Sequence, residues 1–363
     1  MRITFVLPYA DLSGGVRVVA IHARKLQEKG HHVEVISFPR KRPPLKARVK
    51  HFLKHLRPYP FLSQGPTHLE SMEVPWTIME RPGPLKDEDL PEADVLVLTW
   101  WETVEWTRGL SLSRGVPCHF VQAYEIFGGP KEKVDEVLSL PTFKITVSKW
   151  LEELLEKRFS PPGLALVPNS VDLERFRVPP RGKQELPTAG VMYSTTPNKG
   201  CDLAFAAFEE ARRRDPRLRL VSFGHPESPR EPPLPEGATY FSEPAQEEIP
   251  GIYASCDVWI FPGRNEGFGL PILEAMACRT PVVATPAGAA PEILQDGRGV
   301  LVPQDDPKAM AEGILRVTSM EEEAWKELSG KAREFTESYT WDDASRLFER
   351  ALEEALSLAS SSH

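Results

Sequence analysis

Asparagine and cysteine are both scarce in this chain of 363 residues. There are three asparagines, Asn169, Asn198 and Asn265, and four cysteines, Cys118, Cys201, Cys256 and Cys278. The cysteines lie far apart and form no CxxC pair, so neither a zinc site nor a disulfide framework is indicated, and a reducing cytoplasm is the simplest setting. No run of eighteen uncharged apolar residues occurs, which excludes a transmembrane helix on length. The opening apolar run closes at Pro8 and Asp11, too short for a signal h-region, so export is not expected. A surplus of cations is missing as well. The 44 Lys and Arg against 52 Asp and Glu leave a net charge of -8, which argues against general nucleic-acid binding. The chain also lacks a Walker A sequence, a GxGxxG after the first strand and a GxSxG elbow, so simple ATPase, dehydrogenase and hydrolase readings lose ground.

Proline is plentiful instead: 36 residues, about twice the usual share of roughly 5%. With so little asparagine, this composition points to a thermophilic source. Hydrophobic residues at 41% and charged residues at 26% are typical of soluble globular proteins, and the length suits about two domains.

The segment Ile3 to Leu7 reads as a buried strand, followed by a Ser13-Gly14-Gly15 turn and apolar Val18, Val19, Ala23 and Leu26 at helical spacing. Strand-like runs recur at 33–38, 95–99, 119–122, 145–147 and 164–167. After Asn169 the pattern restarts at 189–193, 218–223, 258–261, 281–284 and 299–302. Strands alternating with helices imply parallel sheets, here two Rossmann-like units in tandem. The expected division is 1–170, 171–340 and a terminal helix with its tail over 341–363. The proline-rich segments 40–92 and 226–248 read as loops or short elements. Two such domains usually bind a ligand at the carboxyl ends of their strands, in a cleft between them.

The most informative stretch is Asn265-Glu266-Gly267-Phe268-Gly269-Leu270-Pro271, continuing through Glu274 to Pro281-Val282-Val283-Ala284. It follows a strand and opens a helix. Gly267 and Gly269 let amides approach a ligand, Pro271 fits a first helical turn, and the helix start attracts negative charge, which suits a diphosphate. Glu274 faces the same loop, where a carboxylate can accept hydrogen bonds from ribose hydroxyls. Taken alone, the motif reads equally well as a capped helix on a tight glycine turn.

Glu266 and Glu274, eight residues apart around GFGLP, resemble the signature of the family 4 retaining glycosyltransferases. Other matches run along most of the chain in the same order: Gly14-Gly15, Gly30-His31, Val147-Ser148, Pro168-Asn169-Ser170-Val171-Asp172, Lys199-Gly200, Gly224, Tyr253 with Asp257, Gly288 with Pro291-Glu292, Gly297 and Trp341. The resemblance implies an α/β GT-B fold, with two Rossmann-like domains facing a central cleft and a C-terminal helix crossing back to the first domain. It also implies a metal-independent hexosyl transfer from a nucleotide-diphosphate sugar to a hydroxyl on a glycan, glycolipid or lipid-linked acceptor, with no cofactor, as in polysaccharide biosynthesis. By the same resemblance Glu274 holds the donor ribose, Glu266 contacts the donor sugar, and the amides of Gly267, Phe268, Gly269 and Leu270 bind sugar and phosphate. Lys199 neutralises the diphosphate, and Gly14 and Gly15 approach it from the other domain.

One departure stands out. Relatives carry a Gly-Arg pair five or six residues before the lysine, whereas this chain reads Tyr193-Ser194-Thr195-Thr196-Pro197-Asn198-Lys199. Arg264 is the candidate replacement cation, with the hydroxyls of Ser194, Thr195 and Thr196 as further donors; the alternative for Arg264 is a solvated loop charge. A non-catalytic protein that binds a nucleotide sugar or glycan therefore stays open as the second reading.

In the first half, Phe120-Val121-Gln122-Ala123-Tyr124-Glu125 resembles a stretch of a rhamnosyltransferase-like subgroup. There Glu125 is the candidate to orient or deprotonate the acceptor hydroxyl, the plainer reading being a helix-cap carboxylate. Trp100 and Trp101 read as a sugar-stacking wall or as ordinary packing. Arg40 to Arg57 holds eight Lys or Arg and no acid, with Val49, Phe52, Leu53 and Leu56 on one helical stripe. That pattern suits an anionic membrane at the inner face of the cell or a lipid-phosphate acceptor, or else an ordinary amphipathic helix with a solvated basic side. His51 with His55 and the DxD-like Asp87-Glu88-Asp89 are not read as metal sites.

Overall fold

The computed structural model describes residues 1–39, 45–55, 65–81, 83–225 and 231–361. The chain forms two compact units. The first comprises 1–146, 152–167 and 345–363, the second 147–151 and 168–344. The boundary therefore falls at Val167 rather than after residue 170. Residues 147–151 belong to the second unit because Ser148, Lys149 and Trp150 hydrogen-bond to residues of that unit.

In the first unit the strands are β1 (Arg2–Leu7), β2 (His32–Ser37), β3 (Trp76–Ile78), β4 (Val95–Leu98), β5 (Val116–Val121), β6 (Phe143–Thr146) and β7 (Leu164–Leu166). They form one parallel sheet in the order β3-β2-β1-β4-β5-β6-β7. The helices are α1 (Gly14–Glu28), α2 (Leu45–His55), α3 (His68–Ser71), α4 (Trp101–Thr107), α5 (Lys131–Leu138) and α6 (Lys149–Phe159), the last beginning within 147–151. Central strands such as β1 and β4 are buried along nearly their whole length, as a parallel sheet covered on both faces requires.

The second unit repeats the design with β8 (Thr188–Tyr193), β9 (Arg219–Gly224), β10 (Thr239–Ser242), β11 (Val258–Phe261), β12 (Val282–Ala284) and β13 (Val300–Leu301). Their parallel order is β10-β9-β8-β11-β12-β13. Helices α7 (Cys201–Arg214), α8 (Ile249–Ala254), α9 (Leu270–Ala277), α10 (Ala290–Ile293), α11 (Pro307–Thr318) and α12 (Glu322–Glu337) intervene or follow. The apolar face of α7 meets β8, β9, β11 and α11 in one cluster that includes Phe208, Ile260 and Trp325.

The edge strands β3 and β10 lie inside the segments read as irregular. Both are short and largely unburied, so they carry no apolar run to announce them. Residues 40–44, 56–64 and 226–230 lie outside the described residues, and so does part of the basic stretch. Within that stretch α2 is helical, with Leu45, Val49, Phe52 and Leu53 exposed. Among the described residues no helix is long and apolar enough to cross a membrane.

The terminal helix α13 (Trp341–Ser361) starts in the second unit and belongs to the first from Ser345 onward. Phe348 is fully buried against Phe5, Phe120 and His22, the histidine ring lying 4.4 Å away and nearly parallel. Burial pushes the His22 imidazole down to about 3, so it stacks as a neutral ring. At the rim, Glu349 receives Lys29 at 2.5 Å and His31 at 2.8 Å. The apolar contact outweighs these partly exposed charges. Phe348→Ala should cost about 3–5 kcal/mol in denaturant unfolding of the first unit, and Glu349→Ala at most about 1 kcal/mol; equal losses would mean that the ion pairs hold the helix.

Candidate active site

The strand β11 ends at Phe261 and the chain turns through 262–269 into α9. Gly269 caps that helix at φ +105, where a side chain would strain the backbone and a Cβ would press on the Phe261 ring. Pro271 lies in the first turn. Glu274, buried on α9, accepts the Tyr253 hydroxyl at 2.7 Å, which fixes one carboxylate oxygen. Lys199 ends the short 3-10 turn Pro197–Lys199 and donates to both oxygens of Glu266, at 2.8 and 2.9 Å. Gly200, at φ +69, lets that turn lie against the loop: a Cβ there would sit 2.0 Å from the Pro262 carbonyl oxygen. Two sequence-distant candidates, Lys199 and Glu266, are thus joined, and Gly267, Phe268, Gly269, Leu270 and Glu274 follow on the same loop and helix.

Arg264 is placed differently from the expected diphosphate cation. Its guanidinium makes a bidentate pair with Asp202 at 2.8 and 2.7 Å and reaches Asp305 at 2.6 Å and the Pro197 carbonyl at 2.7 Å. Hydrogen bonds to Asp202 and then Asp305 raise its pKa. The charge is already balanced, and the side chain braces the 197–200 turn against the loop. Tyr193 and Ser194, six and five residues before the lysine, also face other tasks. Tyr193 is buried, stacks on Phe205 and donates to the Pro232 carbonyl, while Ser194 Oγ accepts the Thr196 amide. Around the loop, Lys199 and Arg264 stand against Asp202, Asp305, Glu266 and Glu274. Sequence reasoning missed Asp202, Asp305 and the Tyr253–Glu274 bond; the Tyr253 motif was visible, but nothing local signalled its partner.

In the first unit Gly14 and Gly15 form the first turn of α1, and Gln122 donates to the Gly15 carbonyl at 3.3 Å. Glu125 is buried and accepts the Trp101 amide at 2.8 Å, so it caps α4, the plainer of its two readings. Trp100 and Trp101 pack over Gly128 and Gly129, where a Cβ would meet the indoles at 2.3 and 2.6 Å. Asp87 and Asp89 accept the amides of Ser111 and Lys86, and among the described residues no cluster of His, Cys, Asp and Glu forms a metal set. Burial raises the Glu125 pKa well above the usual glutamate range, so the folded state binds an extra proton and its stability falls as pH rises toward the folded pKa. Glu125→Gln, which keeps an acceptor for Trp101, should therefore gain stability over wild type as pH rises above the ordinary glutamate range; thermal unfolding across pH 4–8 checks this, and a constant difference would contradict it.

Comparison with known proteins gives this geometry a context. Residues 184–320 match the family described as "Glycosyl transferases group 1". The chain is 33% identical over 207 residues to a D-inositol 3-phosphate glycosyltransferase of Saccharomonospora viridis, covering 50% of this chain and 48% of that protein. It spans about half, or less, of the length of the curated relatives it matches first. Among solved structures it is similar to the sucrose-phosphate synthase of Thermosynechococcus elongatus, at TM-score 0.73 and 19% identity over 98% of both chains. It is also similar to Anabaena HepE in complex with UDP and glucose, at TM-score 0.72 and 15% identity, covering 97% of this chain and 99% of that one. The stretch that matches the group 1 glycosyltransferase family, residues 184–320, holds the Lys199–Glu266 pair and the loop into α9, and the two parallel-sheet units have the fold of the GT-B structures.

Proposed function

We propose that this protein transfers a sugar from a nucleotide-diphosphate donor to a hydroxyl acceptor with retention of anomeric configuration and without a metal ion. The observation that carries the reading is the loop into α9. Its Gly267, Phe268 and Gly269 amides lie at a helix start beside Lys199, with Glu274 one turn further on. Amides and one cation are suited to a leaving diphosphate, where negative charge grows as the glycosidic bond breaks. In the front-face mechanism that the family resemblance implies, the leaving phosphate takes the acceptor proton while Lys199 and the loop amides stabilise it. Glu274, one oxygen of which is held by Tyr253, receives the ribose hydroxyls, and Glu266, once the donor draws Lys199 away, meets the sugar. By the same resemblance Gly14 and Gly15 bind the donor phosphates, and Glu125, also in the first unit, acts on the acceptor hydroxyl. The S. viridis relative's name makes an inositol phosphate one acceptor to test. The balanced charge of Arg264 favours the second reading, a nucleotide-sugar binding protein without turnover.

Thermal shift and transfer assays with UDP-, GDP- and dTDP-sugars decide between them. Donor at about a hundred times its dissociation constant adds roughly 2.7 kcal/mol of stability. Glu274→Ala should remove most of that shift, and Glu125→Ala should leave it. Transfer should continue in EDTA; binding without transfer to any hydroxyl acceptor would favour the non-catalytic reading.

We also propose that the basic helix α2 rests on an anionic membrane surface. Leu45, Val49, Phe52 and Leu53 are exposed on it, and the flanking sequence carries cations without acids, in a protein of net charge -8. Liposomes containing anionic lipid should retain the protein at low salt and release it as salt rises. A Phe52→Asp, Leu53→Asp double variant should stay in solution, and retention of that variant would contradict the proposal.

A further inference from the structure

The sequence singles out Val147-Ser148, Gly288 and Pro291-Glu292, none of which carries a role in donor chemistry, and Ser148 and Gly288 lie against the 262–269 loop. Ser148, fully buried, donates its hydroxyl to the Gly267 carbonyl at 2.8 Å, and the Trp150 indole N–H donates to the same oxygen at 2.9 Å. The Ala289 amide donates to the Phe268 carbonyl at 2.7 Å. This close approach needs glycine at 288, because a Cβ there would lie 2.4 Å from the Phe268 oxygen. Glu292 accepts the Lys149 amide at 3.2 Å, between the two side chains that reach Gly267. Earlier in the loop, Thr285 Oγ1 donates to the Gly263 carbonyl at 2.5 Å and Gln304 Nε2 to the Arg264 carbonyl at 2.7 Å. Four carbonyls of one loop are thus held.

A trans peptide is planar, so a carbonyl and the N–H of the following residue point in opposite directions. Fixing the Gly267 oxygen therefore fixes the Phe268 N–H, and fixing the Phe268 oxygen fixes the Gly269 N–H. A carbonyl with two donors is held in direction as well as in place, which a single bond does not achieve. We propose that Ser148 and Trp150 are positioning residues that aim the Phe268 amide at the donor's phosphate or sugar oxygens. Neither side chain touches the donor; both act through the Gly267 peptide. This inference rests on the donor reading above, but the tie to the Gly267 carbonyl does not, and the experiment separates the two.

Amide resonances of 15N-phenylalanine-labelled protein report the Phe268 N–H directly, with Phe268→Leu giving the assignment. Ser148→Ala and Trp150→Phe should each move or broaden that resonance in the absence of any ligand, and Ser148→Thr, which keeps the hydroxyl, should restore it. In calorimetric titrations with UDP and with GDP, Ser148→Ala and Trp150→Phe should each weaken the nucleotide that wild type binds by about tenfold, and Ser148→Thr should bind as wild type does. A Phe268 resonance unchanged in both variants overturns the positioning role, as does a moved resonance with unaltered affinity. If wild type binds neither nucleotide, the donor reading fails and the aim of the amide with it, while the resonance still shows whether the carbonyl is tied. Thermal unfolding of each variant guards against a general loss of fold, and Trp150→Phe, which keeps an aromatic ring in place, remains informative if Ser148→Ala unfolds.

Discussion

A peptide group cannot turn its carbonyl one way without turning the next amide the other, and the 262–269 loop is built on that constraint. Its oxygens at Gly263, Arg264, Gly267 and Phe268 are bonded to Thr285, Gln304, Ser148, Trp150 and the Ala289 amide. These partners come from separate stretches of the second unit, so the loop's shape is a property of the folded unit rather than of its own sequence. Such preorganisation matters most where charge develops during reaction, because dipoles already aimed cost no reorganisation at that moment.

The charges near the loop follow the same economy. Lys199 donates to both oxygens of Glu266, and Arg264 lies between Asp202 and Asp305, so both cations have carboxylate partners within the protein. Arg264 acts as a brace: its amide donates to the Asn198 carbonyl and its guanidinium to that of Pro197, carrying the turn that presents Lys199. A pair such as Lys199–Glu266 also satisfies a half-buried ammonium and carboxylate before a donor arrives, which avoids the cost of leaving either unpaired.

Much of this was legible in the sequence. Strand runs at 3–7, 95–99, 189–193 and 258–261 coincide with central strands, because strands buried on both faces must be apolar throughout. The edge strands β3 and β10 escaped notice for the converse reason: half their surface is open and their side chains follow no apolar pattern. At the site, the spacing of Gly267, Gly269 and Pro271 identified a loop entering a helix, since glycine at a left-handed position and proline in a first turn are local requirements. The partners of Arg264 were not local. Asp202 lies 62 residues away and Asp305 41, and no spacing rule links them. Glu125 shows the same limit: its cap on α4 depends on the Trp101 amide, brought beside it by the pairing of β4 with β5.

The four cysteines have a consequence of a different kind. All are buried, and burial pushes the thiols up, Cys201 to about 11 and Cys118, Cys256 and Cys278 to about 12. Because the thiolate is the reactive form, an alkylating reagent finds almost nothing to attack while the protein stays folded. Cys118 belongs to the first unit and the other three to the second. The chain therefore carries its own pair of clocks: the rate at which Cys118 is modified times the opening of the first unit, and the rate for the other three times the opening of the second.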